Sequence, residues 1–168
     1  MKKLIAYYSR AGQNYFGGNL KFIEKGNTEI AAEKLQALTK ADLFKIEQVK
    51  EYSEDYKMCV AEAKEDLQNN ARPELKNVIT NMDEYDEIYL GYPNYCGTMP
   101  QAVFTFLESY DLSGKKIHPF CTNEGSGLGN SIKDLEKTIP SATLEKGLSI
   151  FGSRVNECDS LLKEWLGE

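Results

Sequence analysis

Asp86–Leu107 reads DEIYLGYPNYCGTMPQAVFTFL, and this stretch decides the fold. Its first half, Ile88-Tyr89-Leu90-Gly91, is a short apolar run of the kind that forms a strand buried in a sheet. Pro93 ends the run, because proline has no N–H for a ladder and holds its predecessor extended. Asn94-Tyr95-Cys96-Gly97 makes a turn, Thr98 is placed to cap a helix and Pro100 suits that helix's first turn. Val103, Phe104 and Leu107 give the helix an apolar face. Strand, aromatic loop and helix therefore follow one another, with the loop at the carboxyl end of the strand. In open α/β sheets ligands bind there.

The same unit recurs on either side. Upstream, Lys3–Tyr8 is an apolar strand that runs out into Ser9-Arg10-Ala11-Gly12. Gly26-Asn27-Thr28 then opens a helix with Ile30, Ala31, Leu35 and Leu38 on one face, Thr28 as its cap and Glu29 in its first turn. Between these polar segments lies an insert, Gln13–Lys25, with Tyr15, Phe16, Leu20, Phe22 and Ile23. It is too apolar for a tail and reads as a small hairpin or packed loop. Ala41–Gln48 alternates as an edge strand does, and Tyr56–Asn70 is a charged helix with Met58, Val60, Ala61 and Leu67 as its apolar positions.

Downstream, Lys115–Cys121 is a strand interrupted by Pro119, and Thr122–Asn130 is a second glycine-rich loop. A helix over Ser131–Lys137, a strand over Thr143–Phe151 and a helix over Asn156–Leu166 complete the chain. Five strands alternating with helices predict one α/β domain over 1–168, a parallel sheet between two helical layers. The doubly wound order 2-1-3-4-5 fits this alternation by analogy, and puts the switch point between the strands ending at Tyr8 and Tyr92.

Composition narrows the function. With 168 residues and a formal charge of -6, the chain suits a single core and argues against non-specific nucleic-acid or anionic-membrane binding, both of which need a basic surface. An acidic surface suits the steering of a basic protein partner. Met1–Ser9 is too short for a signal-peptide core, and no run approaches the ~20 apolar residues of a membrane span, so a cytoplasmic protein is expected. Cys59, Cys96, Cys121 and Cys158 are scattered, with no C-x-x-C pair or nearby histidine, and read as free thiols rather than metal ligands.

Three loops converge at one end of such a sheet. Ser9 and Arg10 face Asn27 and Thr28 at a helix N-terminus, where unpaired N–H groups hold a phosphate readily, although Ser9 and Thr28 also suit plain turn and capping roles. Asn94-Tyr95-Cys96-Gly97-Thr98 offers an aromatic face, and Thr122–Gly127 offers backbone N–H groups with little side-chain bulk. A planar heteroaromatic ligand with a phosphate tail uses all three. Other motifs fail. Gly125-Ser126-Gly127-Leu128-Gly129 has the wrong spacing and place for a dinucleotide fingerprint, Gly-Lys-Ser/Thr is absent, and Glu124 stands where a nucleophile elbow needs glycine. The lone His118 lies within a strand and reads as structural.

Tyr7-Tyr8-Ser9-Arg10-Ala11-Gly12, Gly26-Asn27-Thr28, Gly91–Pro100 and Glu124-Gly125-Ser126-Gly127 together resemble the flavodoxins, in particular bacterial members with a Y-S-R-x-G start and a G-T-M-P loop. The resemblance runs along the whole chain. It implies a flavodoxin-like fold binding FMN non-covalently, with Ser9, Arg10, Asn27 and Thr28 at the phosphate and the start of the ribityl chain. Pro93, Asn94, Tyr95, Cys96, Gly97 and Thr98 then flank the isoalloxazine, Tyr95 stacking on it. Asn123, Glu124, Gly125, Ser126 and Gly127 line its pyrimidine edge through backbone N–H groups. A backbone carbonyl around Cys96-Gly97 is expected to turn towards the flavin's central nitrogen and favour one-electron chemistry. Here the insert splits the family's phosphate loop, and Tyr95-Cys96 stand where relatives often have tryptophan. The resemblance implies a low-potential one-electron carrier, monomer or homodimer, working between a reductase and an acceptor. The alternative is an FMN-dependent NAD(P)H:quinone-type oxidoreductase, whose substrate wall the insert would supply.

Overall fold

Leu4 to Tyr7 are all apolar and all buried, more than one covered face can take. Strand β1 (Lys3–Tyr7) resolves this by lying between two parallel neighbours with a core on each side: Leu4 and Ala6 enter one, Ile5 and Tyr7 the other. The computed structural model describes residues 2–168. Its main sheet is ordered β4-β1-β5-β6-β7, formed by β4 (Asp42–Lys45), β5 (Glu87–Pro93), β6 (Lys116–Asn123) and β7 (Thr143–Leu144), with β8 (Leu148–Phe151) also on β6. Counting β7 and β8 as two parts of one strand, this is the order 2-1-3-4-5, parallel throughout. Helices α1 (Asn27–Thr39) and α5 (Asp159–Leu166) cover one face, through Ala31, Ala32, Leu35 and Leu162. Helices α3 (Gln101–Glu108) and α4 (Ser131–Thr138) cover the other, and α2 (Tyr56–Gln68) packs beside α3.

The fifth strand differs from expectation. Glu145–Gly147 interrupts it, and Pro119 explains where. The carbonyl of Ile117 accepts from Glu145 N–H, so odd-numbered residues of β6 turn their backbone groups towards β7 and β8. Pro119 faces that side without a donor, opposite the gap, and pairing resumes at Phe120↔Leu148. Pro119 thus breaks its neighbour and leaves β6 whole. The last helix is also shorter than expected, because Gly152–Glu157 forms a 3-10 turn ahead of α5.

Two expected caps are used otherwise. Thr28 is the second residue of α1, and its buried hydroxyl bonds that of Thr122 at 2.7 Å. Thr98 donates to Asp134, and α3 starts after Pro100 with no side-chain cap. In α2, Met58 and Val60 are exposed, whereas Cys59 and Ala63 are buried. Burying one large apolar side chain is worth about 1.5–3 kcal/mol. Helix α3, with Val103, Phe106 and Leu107 inside, is fixed by burial; α2, with two small buried side chains, leans on hydrogen bonds at its N-terminus. There Asp55 Oδ1 accepts from Met58 N–H and Gln13 Oε1 from Tyr56 N–H.

The insert is a β-hairpin, β2 (Gly12–Phe16) against β3 (Asn19–Ile23), joined by Gly17-Gly18 with both φ positive. It stands apart from the main sheet. Among the described residues, no helix is long and apolar enough to cross a membrane.

Candidate functional site

A cavity of about 460 Å³ opens at the carboxyl ends of β1, β5 and β6, across the switch point where the chain winds from β1 outward in both directions. Three sequence-distant loops meet in it. Arg10 with Asn27 and Thr28 forms its floor on one side, Pro93, Asn94, Tyr95 and Cys96 another, and Asn123, Glu124 and Ser126 a third. Ser9, Gly97, Thr98, Gly125 and Gly127 support these loops without lining the cavity.

At the first loop the start of α1 is partly spoken for. Ser9 Oγ accepts from Glu29 N–H at 3.1 Å, acting as a cap supplied from the loop after β1, and Gly26 O accepts from Ile30 N–H. The N–H groups of Asn27 and Thr28 have no protein acceptor among the described residues. A side chain at Gly26 would overlap Ser9 Oγ, so only glycine lets the two segments approach. Asn27 Oδ1 is buried without a partner. Arg10 reaches the carbonyls of Gln13 (3.3 Å) and Glu54 (3.0 Å) and, among the described residues, forms no ion pair.

The second loop is a two-residue turn with Cys96 at φ 53° and Gly97 at φ 87°, closed by paired Tyr95–Thr98 hydrogen bonds of 2.8 and 3.1 Å. Asn94 fixes it twice, accepting from Gly97 N–H and donating to Gly127 O, both at 2.9 Å. Gly97 O accepts from Asn130 N–H at 2.7 Å, which leaves the Cys96 carbonyl as the turn's unengaged acceptor among the described residues. The Tyr95 ring borders the cavity while its hydroxyl is buried behind, edge-on to Tyr8 at 5.7 Å. Burial pushes both phenols well above their ordinary range. It raises the Cys59 thiol too, and that of Cys96 despite the nearby Lys64 charge, so both thiols stay protonated at neutral pH.

In the third loop Asn123 Oδ1 accepts from Gly125 N–H (2.9 Å) and Gly127 N–H (3.0 Å). The loop is thereby shaped from within, and the N–H groups of Glu124 and Ser126 are the ones without a protein acceptor among the described residues.

Two further walls complete the cavity: the insert was expected to supply one only in the oxidoreductase alternative, and the α2 wall was not foreseen. From the hairpin come Asn14, Tyr15 and Ile23; from α2 come Tyr56, Cys59, Val60 and Ala63. The spacing i, i+3, i+4, i+7 of the α2 set was a readable signal of one helix face. His118 is remote from the cavity, stacked on Tyr89 at 4.5 Å.

Parallel strands in the order 2-1-3-4-5, an anion-ready helix N-terminus beside β1 and an aromatic turn after β5 define a mononucleotide-binding, doubly wound α/β protein. The flavodoxin family model matches residues 19–168, and the chain belongs to that family, whose cofactor is FMN. Among solved structures it is similar to a candidate flavoprotein of Bacteroides eggerthii (29% identity, TM-score 0.80, covering 99% of this chain and 96% of that one). A flavoprotein of Lactobacillus acidophilus in complex with FMN shares the fold (19%, TM-score 0.69, 93% and 97%). So does the oxidised flavodoxin 2 of Bacillus cereus (20%, TM-score 0.54, 99% of each chain). Among curated proteins, none matches the chain.

Proposed function

We propose that the protein holds FMN in this cavity and carries electrons singly between a reductase and an acceptor protein. The residues fit the cofactor. The open N–H groups of Asn27 and Thr28 and the uncompensated Arg10 suit a phosphate, with Ser9 bracing the same helix start. The orphaned Asn27 Oδ1 suits a ribityl hydroxyl. Tyr95 offers a ring face, flanked by Pro93 to Thr98, and the open N–H groups within Asn123–Gly127 suit the carbonyls of a pyrimidine edge. The cavity also lies within the few hundred Å³ usual for cofactor sites.

FMN supplies the redox chemistry when bound; the protein supplies position and electrostatics. The observation that carries the one-electron reading is the Cys96-Gly97 turn. It presents a free backbone carbonyl at an exposed corner of the cavity, next to a glycine whose backbone has the freedom to reorient. A second reading, an FMN-dependent oxidoreductase taking electrons from a nicotinamide donor to quinone-type acceptors, is favoured by the hairpin and α2 walls, which enclose more than a simple carrier needs. Anaerobic reductive titration of the FMN-loaded protein separates the two. Two resolved one-electron steps support the carrier. Direct two-electron reduction, with turnover of NADH or NADPH, supports the oxidoreductase. A purified protein that takes up no FMN ends both.

A further inference from the structure

The hairpin belongs to neither core cluster, and three of its large apolar side chains stay exposed: Tyr15 is 45% exposed, Leu20 42% and Phe22 73%. A lone two-stranded hairpin is only marginally stable in water, so its few attachments decide where it sits. At its base Asn14 Nδ2 donates to Arg10 O at 2.9 Å, Gln13 takes the Tyr56 N–H, and Tyr15 packs edge-on against Tyr56 at 5.0 Å. Its tip lies across the cavity, where Gly17 N–H donates to Glu124 Oε1 at 2.6 Å. Asn14, Tyr15 and Ile23 line the cavity between these attachments.

Glu124 is itself anchored. Its Oε2 accepts from Ser153 N–H at 3.0 Å, in a 3-10 turn held by the fully buried Val155. Gly152 makes this fit, since a Cβ there would sit 2.5 Å from Asn27 Nδ2 and 3.2 Å from Glu124 Oε2. One carboxylate therefore bridges the fixed frame and the tip of the hairpin, 107 positions away in the chain.

From this geometry we infer that the hairpin is a lid over the cavity and that Glu124 is the latch that holds it shut, controlling how fast the cofactor enters and leaves. The inference rests on the FMN reading for its ligand. Glu124 acts through the hairpin as a positioning residue, since both of its carboxylate oxygens are taken by backbone N–H groups. A latch that must open for the cofactor to pass limits the rate of entry, so loosening it speeds association.

The experiment compares wild type with Glu124→Gln and Glu124→Ala. Glutamine keeps the shape but loses the charge and one of the two acceptors; alanine loses both. Hydrogen exchange of the hairpin amides in the FMN-free protein is expected to quicken about tenfold in the glutamine variant, and further with alanine. Stopped-flow FMN fluorescence is expected to show the association rate constant rising by about the same factor. Unchanged hairpin exchange overturns the latch. A rise in Kd carried by dissociation alone also overturns it, because it would make Glu124 a direct FMN contact. If wild type binds no FMN, the cofactor reading has failed, while the exchange measurement still decides whether Glu124 holds the hairpin.

Discussion

Replacing Gly97 by alanine separates backbone conformation from packing. A Cβ at this position meets no atom within 4 Å, so the substitution creates no clash. What remains is the cost of holding an L-residue at φ 87°, about 1–2 kcal/mol. The Tyr95–Thr98 pair and the Gly97 O to Asn130 N–H bond hold the turn in this conformation. For a chain of this size each kcal/mol moves Tm by about 2–4 °C, so thermal unfolding of the FMN-free protein should drop by about 2–8 °C. Gly114→Ala is the matched control. It has φ 76° and equally open space, in a turn outside the cavity. Both variants should lose similar stability, yet only Gly97→Ala should narrow the separation between the two one-electron steps of bound FMN. An unshifted melting point for Gly97→Ala, or redox changes of equal size in Gly114→Ala, would refute the reasoning.

Further tests probe the other groups of the site and the core. Arg10→Gln should weaken FMN binding about 10–100-fold while leaving riboflavin, which lacks the phosphate, nearly unaffected; equal losses in fluorescence titrations would remove Arg10 from the phosphate. Burial lowers the His118 pKa below 6.5 against the pull of Glu87, so folding favours the neutral ring. Stability tied to this residue is complete above pH 6.5 and is lost as pH falls from there through the folded-state value. NMR titration of the chain's single histidine should give a midpoint below 6.5, and one at or above it would contradict the assignment. Cys96, the exposed thiol, should be the first alkylated by iodoacetamide, slowly at pH 7 and faster as pH rises. Cys121, its pKa pushed up to about 12 by burial, should resist until the protein unfolds, as peptide mass mapping would show.

The five β-α units were legible because each buried strand carries a nearly continuous apolar run, and Leu4–Tyr7 and Ile88–Tyr92 can sit only in a sheet covered on both faces. The split of the fifth strand was not, because TLEKGLSIF alternates acceptably and its interruption is imposed by Pro119 on the neighbouring strand. Thr28 and Thr98 show the limit of local capping rules: both stand where a cap belongs, yet tertiary partners, Thr122 and Asp134, claim their hydroxyls. The three loops that line the cavity could be found from residue type at strand ends. The latch could not, since nothing in the local sequence links Glu124 to Gly17, although Gly17-Gly18 between apolar runs does announce a tight hairpin.

The divided fifth strand also bears on how the molecule behaves in a crowded solution. An uncovered sheet margin invites a neighbouring chain to add itself, and the invitation grows with length and flatness. Here one margin is β4, with four residues; the other is cut into β7 and β8, with two and four. Trp165 covers the cut, its indole N–H donating to the Lys146 carbonyl at 2.9 Å. At the main sheet another molecule therefore meets short stubs instead of a template, with no continuous row of partners on which strand addition could start.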